Sequence, residues 1–536
     1  MRLTSGSESA ELADAIDDHA IARIRVRVLL ARVFGSRFRS GFRRLERRGD
    51  SSYDLRVSSA FPSLVIHADR FEAQGPFAEA QAAFLDPDAA EVARLSKLLT
   101  ETRAGVVAHF YMDPELQGVL TRAGQEHIAI SDSLAMADSA IDMVEAGARF
   151  VVVLGVDFMS ENVRAMLDAA GHAATPVYRV AEKAIGCSLA ESAESDAYAA
   201  YLTQASQTAP SLHVVYINTS LATKAQAQAL VPTITCTSSN VVKTVLQSFA
   251  QVPDLHVWFG PDTYMGQNLY DLFRSLTEMP DDAVRAVHPA HDRESVRAAL
   301  SRFHFFKQGT CVVHHMFGSA VADRVVADYA DAHVTAHLEV PGEMFRVALD
   351  AQRAGRGVVG STSDILNYID GRVDAALAAK SSERISFVLG TEAGMITSIV
   401  DSVRRRLAVD ASTKLSVEIV FPVASEAIAQ TPEHELQVVP GVAAGEGCST
   451  EGGCATCPYM KMNSLDATLS LLERLSGPPS ALEKFLPRKY TALVKGRAVA
   501  EIGGEPILHM RAFQKSGRLP DALVADIASR ALSQPA

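Results

Sequence analysis

A chain of 536 residues with a formal net charge of −12 lacks the basic face on which phosphate-backbone affinity rests, which excludes a nucleic-acid partner. Its 48% hydrophobic and 21% charged residues are ordinary for a soluble globular enzyme, and no apolar run reaches the ~18 residues that exclude anything but a membrane span, so none is expected. Six scattered cysteines are too few for a secreted disulfide framework and point to a reducing, cytoplasmic compartment, while the length fits about three to four domains.

Residues 1–95 read as an N-terminal extension without an assigned role. The chain opens on an acidic run, ESAELADAIDD, which has neither a signal-peptide core nor the Arg- and Ser-rich character of a transit peptide. Between Arg23 and Arg48 stand ten arginines and one acid, interleaved with apolar residues such as Ile24, Leu29 and Phe34. That pattern fits a solvated helix packed on the body, or a basic amphipathic helix for a membrane surface or partner.

From Val106 a strand–helix alternation begins and recurs three times, over 96–190, 191–315 and 316–475. The first unit has a strand ending at His109 and Tyr111, then Asp113-Pro114-Glu115, which reads as N-cap, N1 proline and acidic first turn. A serine turn (Ser131-Asp132-Ser133), a strand ending in Gly155/Asp157 and a closing Cys187 follow. The second unit runs through Tyr216 and Asn218, Ser238, Gly260/Asp262 and Cys311; the third through His337 and Glu339, Ser361-Thr362, Gly390/Glu392 and Cys457. The steps from His109 to Ser133, Asn218 to Ser238 and His337 to Ser361 are 24, 20 and 24 residues. The expected fold is α/β: three pseudo-symmetric three-layer αβα domains with parallel sheets around a central site, plus the N-terminal extension and a C-terminal one over 476–536. In such sheets ligands bind beyond the carboxyl ends of the strands, where His109, Tyr111, Tyr216, Asn218, His337 and Glu339 fall.

Thiolates are soft ligands that favour iron–sulfur clusters, zinc or Cu(I). Cys187 or Cys311 taken singly reads as a buried structural thiol, but equivalent places in the repeats make them, with Cys457 and its following Pro458, a converging ligand trio. Three ligands on a four-iron cubane leave one iron open to act as a Lewis acid in dehydration or condensation chemistry. Cys236 lacks a repeat partner and is expected in the core. Ser133, Ser238 and Ser361 each open a helix, so each is read either as an N-cap or, in concert, as part of a site for a small multiply anionic substrate. His109, His314 and His337 each have the plain alternative of a structural histidine; His337 and Glu339 share a strand face, a pairing suited to proton transfer at a carbonyl carbon.

The runs AHFY at Ala108, GCSLAES at Gly186, YINTS at Tyr216, CTSSNVVK at Cys236, GTCVVHH at Gly309, HLE at His337, VGSTSDILNY at Val359, GTEAG at Gly390 and CATCPYMKMN at Cys454 together resemble the quinolinate synthase family, the A protein of NAD biosynthesis. The resemblance is collinear from Ala104 to Leu475. It implies condensation of iminoaspartate with dihydroxyacetone phosphate around a [4Fe–4S] cluster held by Cys187, Cys311 and Cys457. It implies substrate-binding roles for His109, Ser133, Tyr216, Asn218, Ser238, His314, Ser361 and Thr362, and catalytic roles for Glu339, Tyr111 and His337. An aspartate oxidase or dehydrogenase supplying iminoaspartate, and cluster-assembly proteins, are the implied partners. Where many bacterial members have His-Pro-Glu this chain has His337-Leu338-Glu339, and where they have an acid it has His315, which makes it most similar to the plant-type form. That form carries a SufE-like domain, but no cysteine precedes Cys187 here to accept a persulfide. A plastid is the alternative compartment if the source is a plant or alga. Cys448 and Cys454 are similar to a redox-active pair of some members, an expectation tested by alkylation after oxidation and reduction. Another hydro-lyase using the open iron on a different dianion, or a non-catalytic cluster carrier or redox sensor, are the competing readings.

Overall fold

The computed structural model describes residues 60–410, 412–422 and 457–532. Its α/β core is built from three parallel four-strand sets with one shared topology. The first set comprises β3 (Ala104–His109), β4 (Ile128–Ser131), β5 (Phe150–Leu154) and β6 (Val177–Arg179), ordered β4-β3-β5-β6. The second comprises β7 (Ser211–Tyr216), β8 (Thr233–Cys236), β9 (His256–Gly260) and β10 (Phe303–Phe305), ordered β8-β7-β9-β10. In the third, β11 (His333–His337), β12 (Gly357–Gly360), β13 (Arg384–Gly390) and β14 (Ser416–Val420) are ordered β12-β11-β13-β14. Every pairing within the three sets is parallel.

The central strands β3, β7 and β11 are buried along their whole length, as strands covered by helices on both faces must be. Only β3 is near-continuously apolar; β7 and β11 also bury Ser211, His213, His333, Thr335 and His337. The helix after β3 begins as its residues dictate: Asp113 accepts from the Glu115 N–H at 3.0 Å, Pro114 occupies the first turn, and Gly124 ends the helix at φ 56°.

Part of the segment assigned to the N-terminal extension lies inside the body. The strands β1 (Ser63–Ile66) and β2 (Phe71–Gln74) add to the β14 edge of the third sheet in antiparallel pairing, making it six-stranded. Leu64 and Ile66 enter the core of the third unit beside Val417 and Ile419. The Arg-rich stretch 23–48 lies outside the described residues. At the other end, the helix Val499–Ser516 packs on the helix Leu221–Leu230 and on β8. Gly503 permits this, since a Cβ there would stand 2.3 Å from the Leu221 carbonyl oxygen. Among the described residues no helix is long and apolar enough to cross a membrane.

Candidate active site

The strand registers define which residues of the three repeats are equivalent. His109 pairs with Ser131, Tyr216 with Cys236 and His337 with Gly360, so His109, Tyr216 and His337 end the three first strands in like positions. Two residues further on, Tyr111, Asn218 and Glu339 correspond. The same register aligns Ser133 and Ser238 with Thr362, one residue beyond the Ser361 that offsets alone select. It aligns Asp262 and Glu392 with Val156 and not with Asp157, because Leu154 occupies the place of Gly260 and Gly390. Asp157 instead pairs with Arg179 at 2.6 Å.

Glu339 is the most densely engaged of these groups. Tyr216 donates its hydroxyl to Oε1. His314 Nδ1 stands 3.0 Å from Oε2, close enough for an ion pair but without hydrogen-bond alignment, and His337 Nδ1 stands 3.7 Å from Oε1. The two histidine rings stack with centroids 5.0 Å apart. Burial by itself would raise the Glu339 carboxyl; His314, His337 and the Tyr216 hydroxyl outweigh it and hold the group below the ordinary carboxylate range. His337 and His109 are pushed down to about 4 by burial, so both rings are neutral at physiological pH. His109 Nδ1 accepts the Tyr111 N–H at 3.1 Å, which leaves its ring proton on Nε2.

Tyr111 reaches from the first repeat to the third. Its hydroxyl lies 2.9 Å from Thr362 Oγ1 and 3.2 Å from Thr391 Oγ1. Ser361 is used locally: it caps the helix Thr362–Ala378, accepting the Asp364 N–H at 3.2 Å and donating to Asp364 Oδ2 at 2.8 Å. The Thr362 hydroxyl, and not that of Ser361, therefore faces the Tyr111 side of the site. Ser133 is buried and Ser238 and Asn218 are half-buried in the turns after β4, β8 and β7.

Cys187, Cys311 and Cys457 each follow the fourth strand of their repeat and adopt one turn. In every case the cysteine carbonyl accepts the N–H four residues on, from Glu191 at 2.9 Å, His315 at 3.0 Å and Lys461 at 3.2 Å. The sulfurs in turn face backbone N–H groups of the same turns: Leu189 and Ala190, His314, and Tyr459 and Met460. The three thiols act electrostatically on one another and on Tyr459. Burial pushes Cys187 up to about 11 and the other two well above the ordinary thiol value, so no free thiolate persists without a cation to bind it. Sγ of Cys311, a ring nitrogen of His314 and a carboxylate oxygen of Glu339 lie within 4.8 Å of one another. Cys236 is fully buried at the end of β8, where it pairs with Tyr216, and is not part of this group. Cys448 and Cys454 lie outside the described residues.

Two buried acids entered the sequence reading only as strand-end markers. Glu392 accepts the Cys457 N–H at 2.6 Å, tying the third cysteine turn to the end of β13. Asp262 accepts the Met265 N–H at 2.9 Å, while its other oxygen has no partner among the described residues. Burial, and then the charge on Glu339, push both acids well above the ordinary carboxylate range. Their signal was the shared place after glycine; their burial was not visible.

Residues 93–484 match the family model described as "NadA: Quinolinate synthetase A protein". The chain is 54% identical over 480 residues to a tobacco (Nicotiana tabacum) protein named "Quinolinate synthase, chloroplastic", covering 87% of this chain and 66% of that one. A protein of the same name from Arabidopsis thaliana is 52% identical over 88% of this chain and 67% of its own length. A cyanobacterial "Quinolinate synthase" from Thermosynechococcus vestitus is 26% identical over 70% of this chain and 84% of its own. The chain thus spans about two thirds of the length of the plant relatives.

Proposed function

The chain belongs to the quinolinate synthetase A family, and on that premise we propose that it is a quinolinate synthase of NAD biosynthesis. It condenses iminoaspartate with dihydroxyacetone phosphate to give quinolinate, one phosphate and two waters. Such a reaction asks three things of the protein: donors for carboxylate and phosphate oxygens, a base that moves protons beside a carbonyl, and an electrophile that helps hydroxyl depart.

The helix starts after β4, β8 and β12, with the hydroxyls of Ser133, Ser238 and Thr362, supply N–H and O–H donors for the anionic groups. Glu339, held ionised by His314 and the Tyr216 hydroxyl, takes protons from substrate carbon in the isomerisation and enolisation steps, and that hydroxyl stabilises the charge between transfers. Neutral His109 and His337 hold substrate oxygens by hydrogen bonds and not by charge. Asn218 orients substrate from the second repeat, and Tyr111, anchored on Thr362 and Thr391, closes the seam between the first and third repeats against water.

Cys187, Cys311 and Cys457 are the residues that would hold a [4Fe–4S] cluster; soft donors set in identical turns, with N–H groups facing each sulfur, fit such a group. When bound, it supplies an open iron as Lewis acid for a hydroxyl or carbonyl. The single observation that carries the reading is Glu339, buried against His314, His337 and Tyr216 beside Cys311. A cluster carrier or redox sensor needs the thiols but has no use for that carboxylate.

The test is anaerobic reconstitution with iron and sulfide, addition of both substrates, and detection of quinolinate. Visible and EPR spectra report the cluster separately from turnover. Cluster spectra without quinolinate would favour the carrier or another hydro-lyase. The relatives' names support the plastid alternative over a cytoplasmic location, and a fluorescent fusion of the full chain decides between them. An aspartate oxidase or dehydrogenase is the class of enzyme that must supply iminoaspartate.

A further inference from the structure

A lysine with no exposed surface lies just outside the site. Lys224, on the helix Leu221–Leu230, donates from Nζ to the Ile217 carbonyl at 3.1 Å and to the Thr219 carbonyl. Those two residues flank Asn218, so the lysine fixes the backbone on both sides of a substrate-binding position. Its nearest acid by electrostatic effect is Glu161, from the first repeat. Glu161 is itself buried, and its Oε2 accepts the Leu221 N–H at 3.0 Å, satisfying a first-turn donor of the same helix.

The outer end of this line belongs to the C-terminal segment, past residue 484 where the family match stops. The Tyr490 hydroxyl stands 3.0 Å from both Glu161 oxygens. A second line runs beside it: Ser220 donates to Glu194 at 2.8 Å, and Arg488 lies 3.8 Å from that carboxylate with its guanidinium 5.0 Å from the Tyr490 ring centroid. Arg488 and Glu194 are 59% and 43% exposed, so solvent screens their pairing; the line from half-buried Tyr490 to buried Glu161 has the greater leverage.

We propose that Tyr490 is a positioning residue for the reaction, through which the C-terminal segment holds the 217–221 backbone, and with it Asn218, by way of Glu161 and Lys224. This rests on the reading that Asn218 contacts substrate. A bond made from outside the matched family region would then set the geometry of a loop inside it.

The test uses the full chain with Y490F. Amide hydrogen exchange is expected to speed up at residues 217–224 and stay unchanged in the helix Thr362–Ala378 of the third repeat. KM is expected to rise about threefold to tenfold with kcat less affected, as for the loss of one hydrogen bond acting on ground-state binding. Unchanged exchange at 217–224 overturns the proposal, and so does faster exchange in both regions, which marks a general loss of stability. Faster local exchange with an unchanged KM also overturns it, since Asn218 would then not depend on the strap. Should Y490F not fold, E161Q, which keeps the shape and an acceptor for the Leu221 N–H, is read by the same criteria. If the parent protein makes no quinolinate the functional reading fails by itself, while the exchange data still report the strap.

Discussion

Tyr216, at the end of β7, donates its hydroxyl to Oε1 of Glu339, two residues past the end of β11, so the second repeat supplies the donor that holds the third repeat's carboxylate ionised. Removing the hydroxyl in Y216F takes away a donor that favours the charged form. The Glu339 pKa must then rise, and the acid limb of the kcat/KM profile moves to higher pH. The rate at neutral pH is expected to fall about 10- to 100-fold, and in E339Q about 100- to 10,000-fold, with the cluster spectrum retained in both. An unshifted acid limb in Y216F would separate that limb from Glu339.

The cysteines should divide three against one. C187S, C311S and C457S each remove a soft donor from an equivalent turn and are expected to lower iron bound per chain after reconstitution. C236S changes a thiol that is fully buried at the end of β8. It should retain the iron and cost about 1–3 kcal/mol of stability in denaturant titration, the range for a buried polar group lacking a partner. Iron loss in C236S would mean that the fourth described cysteine belongs to the site.

Gly394 is where the third repeat presses on Tyr111. A Cβ there would stand 2.9 Å from the Phe110 carbonyl oxygen and 2.9 Å from Tyr111 Cα, both backbone atoms that cannot swing aside. G394A should therefore displace Tyr111 from Thr362 and Thr391 and lower kcat/KM by about tenfold or more, since misplacement by an ångström is costly in a preorganised site. A crystal structure of the variant checks the displacement directly, and wild-type kinetics would show that the Tyr111 anchorage is dispensable.

The repeats were legible because each unit states itself in letters that physics makes conspicuous: a polar handle at the end of the first strand, a helix-opening hydroxyl turn and a cysteine after the last strand. What offsets cannot supply is register. Ser361 and Thr362 both carry hydroxyls, and only the pairing of His337 with Gly360 makes Thr362 the counterpart of Ser133 and Ser238. Asp157 looked like Asp262 and Glu392 for the same reason, and a one-residue difference in strand end sends it to Arg179 instead. The four-residue strands β1 and β2 gave too short a pattern to recognise beside an Arg-rich stretch. Lys224 was invisible for another reason: a lysine on a helix reads as solvated unless the tertiary fold encloses it.

That enclosure has a pH signature. Burial lowers Lys224 from 10.5 to about 7, with Glu161 opposing the shift only in part. Between those two values the unfolded chain holds a proton that the folded chain has released, so the lysine makes folding stability rise with pH across this window. Below it both states are protonated and the folded one bears the full cost of a buried ammonium. K224M removes the proton along with the two carbonyl hydrogen bonds; the second loss does not depend on pH, so it enters as a constant offset. The melting temperature of the parent relative to K224M should therefore climb as pH is raised from about 7 into the alkaline range. A difference that stays flat across that range would mean that Lys224 keeps its charge when folded, held there by Glu161 and the Ile217 and Thr219 carbonyls.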